Sequence, residues 1–121
     1  MIRNIEQQVI SWLNTSETLS DYPAYAMMPA DNPGKLITVE LTGTTITRTI
    51  SEYMLAVRVY ASSRFEAAQA AETLVAPRLE DMWQADHIAG VHVDSVYNYP
   101  DPGPPVRNSY QMTVTVTTAT F

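Results

Sequence analysis

The chain has 121 residues, a formal net charge of −6, 45% hydrophobic and 17% charged residues, and no cysteine. This length suits one domain over residues 1–121, with roughly two-thirds of the unfolded chain's surface buried on folding, and the lack of thiols excludes a disulfide framework or a thiolate metal site. A single lysine (Lys35), no basic cluster and no apolar run near ~18 residues argue against nucleic-acid binding and against a membrane span.

Residues 2–13 place Ile2, Ile5, Val9, Trp12 and Leu13 at helical spacing, with Arg3, Glu6, Gln7 and Gln8 off the stripe. This start reads as an amphipathic helix and not as a signal peptide. Residues 20–34 hold three prolines and no period, and are expected to form an irregular connection that packs through Tyr22, Tyr25, Met27 and Met28.

The β-branched run from Leu36 predicts a strand, with Gly43 marking a bulge or a turn. In the next run Tyr53, Leu55, Val57 and Val59 alternate with Met54, Ala56, Arg58 and Tyr60, the pattern of a strand with one face on the core. Ser63 and Glu66 fit a capping box. The alanine-rich stretch after them predicts a helix with Ala67, Ala71, Leu74, Val75, Leu79 and Met82 on one face. Pro77 lies inside that pattern and predicts a kink or early break between Thr73 and Pro77.

A third strand is expected at residues 90–98, with Val91, Val93 and Ser95 facing one way and His92, Asp94 and Val96 the other. After the proline-rich loop at 98–109, Tyr110, Met112, Val114 and Val116 alternate with Gln111, Thr113, Thr115 and Thr117 in the fourth strand. The order α-β-β-α-β-β predicts an α+β two-layer sandwich, with a four-stranded, mainly antiparallel sheet and two helices on one face.

Catalytic chemistry is sparse. His92 and Asp94 share a strand two residues apart, short of the three or four ligands a metal requires. Asp86 stands beside His87 at a helix end, and Glu80 and Asp81 are adjacent on a helix. There is no G-x-S-x-G, and Gly43, Gly90 and Gly103 are isolated, so no phosphate loop is present. No catalytic, cofactor-binding or metal-ligating residue is assigned, and no cofactor is expected. Pro102 to Pro105 satisfies P-x-x-P, a pattern recognised by SH3-like grooves, with Arg107 as the nearest base.

The stretch "YMLAVRVYASSRFEAAQAAETL" resembles the signature of a phage protein family. Val57, Val59, Tyr60 and Ala61 end a strand, and Phe65, Glu66, Ala67, Ala68, Ala71 and Leu74 continue into a capped helix. A glycine-led strand with "VDSV" and a final "YQMTVTV" strand extend the likeness over roughly residues 1–119. The family is the tail terminator and head–tail joining proteins of long-tailed bacteriophages. The resemblance implies a structural role without enzymatic activity: small α+β subunits form a hexameric ring on the last ring of the tail tube, stop its growth and dock to the neck of the capsid. The implied partners are other copies of the chain, the major tail tube protein and a neck or connector protein, with DNA only passing through the lumen. The implied location is the virion's tail–neck junction, after synthesis in the bacterial host cytoplasm. Two alternatives stand beside it, a head-completion or stopper protein of the neck and a small adaptor that presents its proline-rich arm to a partner.

Two sets of residues follow as candidates. Tyr97, Tyr99, Pro100, Pro102, Pro104, Pro105 and Arg107 form a stiff arm for contact with a neighbouring subunit or the tube, since proline pre-sets the backbone and lowers the entropy lost on docking. Between Glu66 and Asp101 stand Glu66, Glu72, Glu80, Asp81, Asp86, Asp94 and Asp101 against Arg78 alone; seven acids less one base account for the whole net charge of −6. Glu72, Glu80, Asp81 and Asp86 are the candidates for an acidic lumen that repels passing phosphates.

Overall fold

The computed structural model describes residues 4–30, 34–85, 87–100, 102 and 107–119. Helix α1 (Ile5–Asn14) starts at Asn4, whose side chain accepts a hydrogen bond from the Gln7 N–H at 3.2 Å. It buries Ile5, Val9, Ile10 and Leu13. The expected stripe is present, with Ile10 added and Trp12 half-buried; Ile2 lies outside the described residues.

The chain then forms strand β1 (Ala24–Tyr25), the long strands β2 (Leu36–Ile46) and β3 (Ile50–Ala61), a helical rod, and strands β4 (Ile88–Asn98) and β5 (Asn108–Ala119). The sheet has five strands in the order β1-β2-β3-β5-β4. It is mixed, because β1 runs parallel to β2 while every other pair is antiparallel. This corrects the expected four-stranded sheet.

β1 falls in the segment expected to be irregular. Two residues carry no period, and tertiary bonds define them. The Asn14 side chain bonds both backbone groups of Ala24, accepting from its N–H at 2.8 Å and donating to its carbonyl at 3.2 Å, and Ile37 N–H donates to the Pro23 carbonyl at 2.9 Å. Tyr22 is buried there as expected, Tyr25 and Met28 are half-buried, and Met27 is exposed.

The helical rod is continuous. α2 (Arg64–Ala70) passes into a π-helical turn (Ala71–Val75), then α3 (Ala76–Glu80) and a 3-10 turn (Asp81–Gln84). The expected break near Thr73 to Pro77 thus takes the form of a π turn, and Pro77 does not end the rod. The wider turn, closed by Ala76 N–H on the Ala71 carbonyl, inserts one residue ahead of the proline and relieves the ring's usual clash with the carbonyl four residues back. The capping box is only half formed: Glu66 N–H donates to Ser63 Oγ at 3.1 Å, but the Glu66 carboxylate reaches Ser62 N–H, at 3.5 Å.

The core lies between the helices and one face of the sheet. Ile37, Val39, Leu55, Val57, Val59, Met112, Val114 and Val116 meet Val9, Leu13, Ala67, Ala71, Val75, Leu79 and Met82. α1 packs on β1 and β2, whereas α2 and α3 cross β3 and β5 to reach β4. Gly43 marks a bulge, with register shifting between Leu41 and Gly43. β4 carries two further shifts, between Ile88 and Gly90 and between Val93 and Ser95, and the latter overturns the expected alternation of β4: Val96 comes opposite Met112 on the helix face, and Ser95 opposite Thr113 on the other.

Candidate assembly surface

The strands run between two dissimilar ends. At one end, the arm end, lie the start of β2, the end of β3, the end of β4 and the start of β5; at the other, the hairpin end, lie Ile46, Ile50, Ile88 and Ala119. The sheet face away from the helices is open over its hairpin half. Over its arm half it is covered, and Leu36, Ala56, Tyr60 and Ser109 are buried.

The root of the proline-rich segment contributes to this cover. Arg58 is its hub, with Nε donating to Gln111 Oε1 at 2.6 Å, its guanidinium 4.6 Å from the Tyr99 ring centroid, and Glu40 at 3.7 Å. Gln111 donates in turn to the Tyr97 hydroxyl at 2.5 Å. Tyr99 N–H donates to the Ser109 carbonyl at 2.9 Å, and Ser109 Oγ donates back to the Tyr99 carbonyl. Arg107 lies 5.9 Å from the Tyr60 ring and donates to Met28 Sδ at 2.9 Å.

Tyr97, Tyr99 and Arg107 are thus brought together on the arm half of the sheet, held by side chains of their own subunit while still partly exposed. Pro100 and Pro102 are exposed; Pro104 and Pro105 lie outside the described residues. Of the acidic candidates, Glu72, Glu80 and Asp81 are exposed on the rod, and Asp86 lies outside the described residues. The one base in that segment, Arg78, is half-buried and engaged with α1.

At the arm end, Lys35 Nζ sits 3.3 Å from Glu66 and 5.9 Å from the Tyr22 ring. The hydrogen bond and charge of Glu66 raise the Lys35 pKa. Burial, helped by the Glu66 charge, raises that of Tyr22.

The remaining polar cluster is His92, Asp94 and Thr115 on the open face. His92 Nε2 is 3.1 Å from Asp94 Oδ1, and the Thr115 hydroxyl donates to Asp94 Oδ2 at 3.3 Å. The hydroxyl proton is directed at the carboxylate instead of at the imidazole, so the three do not form a nucleophile–base–orienter chain. Among the described residues, no group of three or more His, Cys, Asp or Glu could hold a metal ion, and no helix is long and apolar enough to cross a membrane.

Sequence reasoning missed the surface distribution of large apolar side chains. Met27 (76% exposed), Phe65 (76%), Tyr97 and Tyr99 stand toward the arm end; Ile46 (75%), Ile50, Met54 and Trp83 stand toward the hairpin end. Phe65 and Trp83 lie outside the helix's apolar stripe by spacing alone, and that was the available signal. The isoleucines carried none, because an alternating strand gives no sign of where its covering layer stops. A comparison with protein-family models finds no match, and neither does a comparison with curated proteins.

Proposed function

We propose that this chain is a structural subunit of a phage tail, forming a homo-oligomeric ring at the head-proximal end of the tail tube that ends tube growth and joins the tail to the neck. One observation carries the reading: the exposed large apolar residues gather at opposite ends of the sheet, Met27 and Phe65 at one and Ile46, Ile50 and Trp83 at the other. Two unlike apolar patches at opposite ends of one subunit suit contacts with two different partners, as a ring seated between tube and neck makes, while the ring itself needs a heterologous contact between copies whose rotation closes. The α+β order and the "VRVYA"-to-helix transition that carry the family resemblance lie within the described residues and support the same reading. The exposed Glu72, Glu80 and Asp81 give the rod an acidic outer surface, which in a ring facing DNA repels phosphates.

Electron microscopy of particles assembled without this chain tests the proposal. Abnormally long, headless tails are the expected result. Normal tails beside heads that leak DNA would move the chain to the stopper level of the neck, and normal infectious particles would remove it from the tail altogether.

A further inference from the structure

We infer that neighbouring copies join by strand pairing, the hairpin half of β4 in one copy adding to the hairpin half of β2 in the next. This names the contact within the proposed ring; only the closure of the assembly rests on that reading, and the pairing does not.

Among the described residues the sheet order leaves two free edges, all of β4 and the part of β2 that β1 does not cover. In the arm half the β2 edge is occupied and the β4 edge is irregular. There β1 and α1 occupy β2, with Pro23 accepting from Ile37 N–H and Glu6 accepting from Leu41 N–H at 2.6 Å. On β4 the register shift between Val93 and Ser95 bends the strand at the start of its arm half. Among the described residues no strand pairs with either edge in the hairpin half, where β4 carries a further register shift between Ile88 and Gly90, next to the Val91–Val93 stretch.

The ladder bonds identify the unsatisfied groups. Tyr99 donates to Ser109, and Ala119 donates to His87, so odd-numbered residues of β5 bond toward β4. Gly90 and His92, opposite Thr117 and Thr115, therefore bond inward, and Val91 and Val93 direct their N–H and C=O groups to the free edge. On β2, Thr47 donates to Ile50, so Thr45 and Gly43, opposite Glu52 and Met54, also bond inward. Thr44 and Ile46 then face the edge.

Strand direction and side chains match as well. β2 runs from the arm end to the hairpin end and β4 runs back, so identically oriented copies placed side by side meet antiparallel, as in most of the sheet. Ile46 lies opposite Ser51 and Val91 opposite Val116, both on the helix face. Pairing Thr44 with Val93 and Ile46 with Val91 therefore sets the most exposed isoleucine against a half-buried valine. The charges are complementary: exposed Arg48 follows β2, and exposed Glu80 and Asp81 stand where α3 passes into the 3-10 turn, both of which pack on β4. Head-to-tail repetition covers the hairpin half of both edges in every copy of a closed ring.

In this register Thr45 faces His92 as a non-hydrogen-bonded pair, with Cα atoms about 4.5 Å apart, within disulfide reach. The chain has no cysteine, so a Thr45→Cys chain and a His92→Cys chain can be purified separately, mixed, concentrated and oxidised, with sedimentation run in parallel. The mixed disulfide dimer is expected to predominate over both homodimers. It should be lost when Thr44→Pro is added to the first chain, which removes an edge N–H without touching the β3 ladder. Predominant homodimers, or a sedimenting oligomer with no cross-link, would overturn the pairing; the oligomer would leave the ring reading standing. A monomer at every concentration with no cross-link would overturn the pairing too. Mixed dimers that grow into open polymers would uphold the pairing and overturn the ring.

Discussion

Trp12 and Arg78, 66 residues apart, cap each other. The indole Nε1 donates to the Arg78 carbonyl at 2.7 Å, and the Arg78 guanidinium donates through Nε and Nη2 to the Trp12 carbonyl at 3.1 and 2.9 Å. The guanidinium also lies 3.8 Å from the Trp12 ring centroid. Trp12 is in the last turn of α1, where carbonyls lack helical partners and a cation is favoured. Arg78→Ala should cost about 2 kcal/mol, in the range of hydrogen bonds to charged groups. Arg78→Lys should recover only part of this, because an ammonium cannot reproduce the planar fork. Urea unfolding measures both; a full rescue by lysine would show that charge alone matters.

Pro77 offers a second test. A proline inside a regular helix costs about 3 kcal/mol. Here the π turn at Ala71–Val75 absorbs the ring, so Pro77→Ala should stabilise the fold by less than about 1 kcal/mol. A gain near the full interior penalty would mean that the turn does not relieve the clash.

His87 carries φ of 69°, in the left-handed region, where a side chain costs about 1–2 kcal/mol. His87→Gly should raise stability by about 1 kcal/mol. A loss on thermal or urea unfolding would show that the imidazole makes a contact worth more than the backbone strain.

The Tyr22–Lys35–Glu66 cluster predicts how stability responds to alkali. Both raised pKa values mean that the folded chain holds its protons more tightly than the unfolded chain does. The contribution is intact below the ordinary values of 10.0 for tyrosine and 10.5 for lysine, and is lost as pH rises through the folded values. Urea midpoints should therefore be level to pH 9 and fall above pH 10, with a smaller fall in Tyr22→Phe. An identical fall in that variant would assign the effect to other groups.

The acidic rod predicts a functional phenotype. Reversing Glu72, Glu80 and Asp81 to lysine should leave the fold intact, since all three are exposed, and under the proposed ring function should slow DNA ejection from assembled particles in a salt-dependent way. Unchanged ejection would assign these acids to solubility alone.

The sequence by itself determined the elements whose signal is local and repeated. The stripe at Ile5, Val9 and Leu13, the alternation from Tyr53 to Val59 and from Tyr110 to Val116, and the Ser63 cap each depend on neighbours two to four residues away, and all were legible. Tertiary structure decided what depends on distant partners. β1 exists because Asn14 and Pro23 bond it in place, and the rod passes Pro77 by inserting a π turn while packed on the sheet. Val96 changes face because a bulge, fixed by its pairing with β5, adds one residue to the count. The candidate surface divides in the same way. Sequence located the proline-rich arm and the acidic run, because composition is local. Only the sheet order could show that Tyr97, Tyr99 and Arg107 share one half of a sheet face, and that two edges lie open in the same half, since an edge is defined by the strand that is missing beside it.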